Sequence, residues 1–117
     1  MTRGDLAALQ GRLRAFAKAR DWDQFHSPKN LAMALSREVG ELVEVFQWLT
    51  EEQSRDLNAE DRQRVSEELA DVLIYVVQLA DGLGIDLGNA TDEKIALNEQ
   101  RYPVKLAKGT ARKYTRR

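Results

Sequence analysis

The chain has no cysteine, one histidine and two prolines among its 117 residues. Without thiols it can form neither disulfides nor thiolate metal sites, and the lone His26 argues against zinc, which draws on several Cys or His ligands. No apolar run approaches the roughly 18–20 residues that a membrane span requires. The opening MTRGDLAALQGRLRAF lacks the apolar centre of a signal peptide, so a cytoplasmic protein with no membrane partner is expected. The period-two alternation of half-buried strands is missing as well. Basic residues are sparse in the body: residues 1–102 hold twelve Lys or Arg against nineteen Asp or Glu, whereas 103–117 carry six basic residues and no acid. An acidic body argues against nucleic-acid binding by the domain, because such binding needs a basic face to displace counterions. The tail KGTARKYTRR reads as a solvated arm or as a segment packed on the acidic body.

What is present is helical. At 43% apolar and 32% charged residues the composition is that of a globular domain. Leu6, Leu9, Leu13, Phe16 and Ala17 share one face of a helix from about Gly4 to Arg20. A second helix starts behind Ser27 and Pro28, a hydroxyl cap followed by a proline at the first position, and runs to near Thr50. The polar connection TEEQSRDLN leads to Asn58, which caps a third helix ending near Ala80 before DGLG. Asp86 caps the fourth, which Pro103 closes. The expected fold is all-α, a four-helix bundle. In the third helix Val65, Leu69, Val72, Leu73, Val76 and Leu79 form the core stripe, while Ile74 and Val77 fall outside it. A helix apolar on two sides points to burial against a second subunit, hence an obligate oligomer.

The second helix carries an anomaly. Leu31, Leu35, Leu42, Val45, Phe46 and Leu49 make one stripe, and Glu38 falls inside it, with Glu41 three residues on. The third helix repeats the pattern with Glu68 and Asp71. Acidic pairs at this spacing are common on solvated faces or beside Lys and Arg. Two pairs that each abut an apolar stripe, with no basic residue at the adjoining stripe positions and Arg37 pointing away from Glu38, call instead for a cation. An all-oxygen set suits a hard ion such as Mg²⁺. A ferritin-like di-iron centre wants Glu-x-x-His, and here the partner three residues on is Glu41 or Asp71. Trp48 and Tyr75 each follow an acid by seven residues on the same expected face. Lys94, Asn98 and Arg101 form a polar, cationic face leading to Tyr102, so aromatic and donor groups suited to a base and a phosphate chain accompany the acids.

The stretches WDQFHSPKNLAMALSREVGELVEVFQW, EELADVLIYVVQLAD and KIALNEQRYP together resemble the MazG-type all-α nucleoside triphosphate pyrophosphohydrolases, and within them the small branch similar to dCTP pyrophosphatase. The similarity spans roughly residues 20–103. ExxE followed by ExxD is shared across that superfamily, whereas FHSPKNL, FQW and NEQRYP are more particular to the branch. The resemblance implies a nucleotide pyrophosphohydrolase domain over 1–103 and a basic tail over 104–117. It implies that Glu38, Glu41, Glu68 and Asp71 ligate Mg²⁺, with Mn²⁺ as a substitute. Trp22, His26, Asn30, Trp48 and Tyr75 would line the nucleoside end, and Lys94, Asn98, Arg101 and Tyr102 would meet phosphates and sugar. Glu41, together with Glu38, is the candidate catalytic group, and a homodimer or, by preference, a homotetramer is implied. The alternative is a non-enzymatic oligomeric helical bundle, an adaptor or nucleic-acid-associated protein that binds through its basic tail; the enzyme reading expects turnover to survive removal of the last fifteen residues.

Overall fold

A computed structural model describes residues 1–116, and its backbone is helical with no strand among the described residues. The elements are α1 (Arg3–Ala19), α2 (Pro28–Phe46), α3 (Glu51–Arg55), α4 (Ala59–Gly82), α5 (Leu87–Arg101) and α6 (Val104–Ala107). They divide into two compact units, residues 1–85 and 86–117. No helix among the described residues is long and apolar enough to cross a membrane.

The caps expected from sequence are present. Ser27 Oγ accepts from the Asn30 amide at 3.2 Å, Asn58 Oδ1 from Asp61 at 2.8 Å and Asp86 Oδ1 from Asn89 at 3.0 Å. Each satisfies one donor that a helix start leaves without a partner. Two boundaries differ from expectation. Helix α2 stops at Phe46 rather than near Thr50, because Thr50 is itself a cap: its Oγ1 accepts from the Gln53 amide while the Gln53 side chain accepts from the Thr50 N–H. This capping box turns the expected polar connection into the short helix α3. At the other end of the unit, α4 runs on to Gly82, and Gly84 takes the left-handed conformation, φ 68°, that lets Ile85 N–H reach the Ala80 carbonyl.

In the first unit α4 is the central helix, packed by α2 and by α1. Leu31 and Val45 of α2 are buried with Glu38 between them in the sequence, so the α2 stripe reads as expected. The phase expected for α4 needs correction. Val77, placed outside the stripe, is the most enclosed side chain at 1% exposure, and Leu69, placed within it, is 52% exposed. The reason is α1, whose Leu13 and Ala17 line a cavity with Val77 and so cover the second apolar side of α4 within the protomer. A double-ended contact fastens the two helices: Arg14 Nε donates to Asp81 at 2.8 Å and its Nη2 donates to the other carboxylate oxygen. The guanidinium holds the Asp81 carboxyl below its ordinary value.

In the second unit the tail is ordered against its own helix. Tyr102 and Tyr114 meet edge to face at 5.8 Å, and the Arg101 guanidinium lies 4.8 Å from the centre of the Tyr114 ring.

Because burial sets the cost of a truncation, Val77→Ala should lower unfolding free energy by about 2 kcal/mol and Leu69→Ala by well under half of that, in denaturant titrations of the two variants. Equal losses would mean that the α4 face bearing Leu69 is covered in solution.

Candidate functional site

Glu38, Glu41 and Glu68 converge where α2 faces α4, each offering a carboxylate oxygen such that all three lie within 4.8 Å of one another. Glu38 is buried at 8% exposure and the other two are half-buried. Their position follows from the helix pattern: packing the Leu31–Val45 stripe against α4 carries Glu38 inward with it. Glu38 Oε2 and Glu68 Oε2 are buried and have no hydrogen-bond partner among the described residues. Arg37, expected to point away, reaches back to 3.7 Å from Glu38 Oε1, since a long side chain can fold along its own helix. That guanidinium is 66% exposed and lies beyond hydrogen-bond distance, so it leaves the buried oxygens unmatched.

The electrostatic result appears at Glu68. Burial, first, and then the closeness of Glu38 and the negative charges of Glu41 and Glu38 push its carboxyl up from 4.5 to about 7. Three carboxyl groups this close cannot all ionise comfortably without a cation among them, and unmatched buried oxygens are what such a cation would ligate.

Asp71, one turn beyond Glu68, lies outside this trio and lines a cavity of about 470 Å³ that none of the three glutamates lines. Trp22, His26 and Tyr75 line the same cavity, so four residues picked out from sequence meet there. Trp22 is held by the end of α1. Asp21 adopts φ 53°, its N–H reaches the Lys18 carbonyl, and the Trp22 N–H reaches back to Ala17 at 2.9 Å. This is a Schellman closure with Asp in the position glycine usually takes, and it seats the Trp22 ring edge-on to Phe16 at 5.7 Å. Asn30 is turned elsewhere: its side-chain amide donates to the Phe25 carbonyl at 3.1 Å, bracing the loop that carries His26. Trp48 does not share the Glu41 face, because α2 has ended by then; it stands in the following turn, 86% exposed.

Lys94 and Asn98 are exposed on α5 in the second unit. The Asn98 carbonyl there accepts from the Tyr102 N–H at 2.7 Å, beside the Arg101–Tyr114 contact. The groups that sequence reasoning missed are on α1: Leu9, Arg12, Leu13 and Phe16 form one wall of the cavity. Their signal was the apolar face of α1, which was read only as core.

A family model, the MazG-like family, matches residues 33–116. The chain belongs to the MazG-like family. This MazG-like chain is 51% identical to dCTP pyrophosphatase 1 of Mus musculus over 102 residues, and 50% identical to the protein of the same name from Homo sapiens over the same length. Each alignment covers 86% of the chain and 60% of the relative, so the chain spans about 60% of the length of the curated relatives it matches. A crystal structure of a pyrophosphatase from Archaeoglobus fulgidus superposes with a TM-score of 0.79 at 39% identity, covering 85% of this chain and 93% of that one.

A folded-state pKa raised above the ordinary Glu value means that the native protein binds more protons than the unfolded chain between about pH 4.5 and 7. Stability from this group is therefore present in full below that window and is lost as pH rises through it. In EDTA, melting temperature should fall between pH 5 and 7.5, and Glu68→Gln should flatten that fall. An unchanged slope in the variant would remove Glu68 as its source.

Proposed function

We propose that this chain hydrolyses a nucleoside triphosphate to the monophosphate and pyrophosphate, with dCTP or a modified dCTP as preferred substrate, in the cytoplasm. The observation that carries the reading is the carboxylate trio with two unmatched buried oxygens beside a cavity lined by Asp71 and aromatic side chains. The similarity to proteins named dCTP pyrophosphatase 1 supports the choice of base.

Glu38, Glu41, Glu68 and Asp71 would hold Mg²⁺, with Mn²⁺ as a substitute; an all-carboxylate donor set fits such hard ions. When bound, the ion supplies charge neutralisation of the triphosphate, polarisation of the α-phosphoryl group and easier deprotonation of water. Glu41 is the residue assigned to orient or deprotonate that water, because its oxygens are not among the buried, partnerless ones. The water oxygen forms a bond to the α-phosphorus, the bond from that phosphorus to the α–β bridging oxygen breaks, and pyrophosphate departs. Trp22 and Tyr75, with His26, receive the base in the cavity. Lys94, Asn98, Arg101 and Tyr102 are assigned to the phosphates and sugar. Asn30 acts by bracing the loop that carries His26. Trp48, being 86% exposed, is assigned to the site of a second copy, in keeping with a dimer or tetramer. A helical adaptor working through its tail would account for neither the charge crowding nor the cavity.

The test is pyrophosphate release from each common dNTP and NTP, in Mg²⁺ and in EDTA. Release should require the metal and be fastest from dCTP. Glu38→Ala, Glu41→Ala and Asp71→Ala should each cut turnover by at least about a thousandfold while the fold persists, with Glu38→Ala melting no lower than the parent. Retained activity in all three variants would sink the metal-site reading.

A further inference from the structure

We infer that Gln78 is a specificity-determining residue which reads the amino-bearing edge of the base; this rests on the nucleotide-hydrolysing function proposed above. Gln78 lies on α4 three residues after Tyr75 and seven after Asp71, so the three share one helix face. It lines the 470 Å³ cavity with them. With Leu13 and His26 it also lines a neighbouring cavity of about 150 Å³, and so forms part of the wall between the two.

The side chain is half-buried and has no hydrogen-bond partner among the described residues. Its neighbour Val77 is the most enclosed side chain of the core, and an apolar residue would suit the Gln78 position at least as well for packing. Its amide atoms are not among the buried, partnerless ones, so they stay accessible from the cavity and are available for binding. Along α4 the order is Glu68, Asp71, Tyr75, Gln78, and the ten steps from first to last rise ~15 Å. A nucleotide lying along this face with its phosphates toward the carboxylates presents its base toward Gln78. The amide offers a carbonyl acceptor beside two N–H donors. Cytosine offers a matching pair, the 4-amino donor next to the N3 acceptor. The carbonyl accepts from the 4-amino group and the amide N–H donates to N3.

The experiment compares kcat/KM for dCTP with that for the analogue lacking the 4-amino group, 2-pyrimidinone deoxynucleoside triphosphate, in the parent protein, Gln78→Leu and Gln78→Glu. Removing the amino group should cost the parent roughly tenfold, and Gln78→Leu less than about twofold, the scale of one uncharged hydrogen bond. Gln78→Glu keeps the acceptor and loses the donor, so it should be slower with both substrates yet remain sensitive to the amino group. Gln78→Leu should melt no lower than the parent, which separates the effect from misfolding. Equal penalties in the parent and Gln78→Leu would overturn the role of Gln78 while leaving the hydrolase reading in place. A parent protein that releases pyrophosphate from no nucleotide would overturn both.

Discussion

Three carboxyl groups forced together between two helices are the constraint around which the first unit is arranged. Leu31 and Val45 can be buried only if α2 closes on α4, and that closure brings Glu38 and Glu41 to Glu68. Hydrophobic burial is non-directional and strong, whereas mutual repulsion of half-buried acids is local, so packing decides and the charges are held in a state they would otherwise leave. The raised Glu68 carboxyl is the imprint of that conflict. A cation among the three oxygens would relieve it, which is the role proposed for the site above.

Helix α1 gives the trio a neighbour with a different character. Its Schellman closure at Asp21 sets Trp22 against Phe16, and the Arg14–Asp81 contact keeps its inner face on α4. The outcome is a cavity whose walls are mostly aliphatic and aromatic, with a small number of polar groups at fixed places. Such a composition is typical of small-molecule sites, and about 470 Å³ falls within their usual range. Along α4 the acids stand at one end of this face and the amide of Gln78 at the other, so a single helix orders the proposed chemistry and the proposed selection.

Much of this was legible in the sequence, for physical reasons that differ from residue to residue. Ser27, Asn58 and Asp86 announced helix starts because capping is local. Glu38 stood out because it falls inside an apolar stripe, three residues after Leu35 and four before Leu42. The phase of α4 was misjudged at Val77 and Leu69, since which side of an apolar helix is covered depends on a partner, α1, whose docking leaves no mark within α4. The end of α2 was missed because Thr50 can continue a helix or cap the next, and the reciprocal bonds with Gln53 select the second. Trp22 was found, yet the turn that aims it was not, because Asp rather than glycine occupies the left-handed position. The α1 wall of the cavity was hidden in the same way: Leu9, Leu13 and Phe16 look identical whether they face a core or a ligand.

The choice between an enzyme and a passive helical module can be argued from what each would need of Glu38. A module that only packs or associates gains from an apolar side chain at this position, which would complete the α2 stripe and remove a buried charge; replacing buried ionic groups by apolar ones is often neutral or stabilising. Instead the stripe is interrupted by the residue type least suited to it, within 4.8 Å of two more of the same sign, and with no cationic side chain among the described residues at hydrogen-bond distance from its buried oxygen. A fold departs from its own packing logic at sites where something other than stability is served. Two departures of this kind on neighbouring helices, facing one another, are more than a solvated helix face requires. They are the feature that the proposed metal-assisted hydrolysis would use.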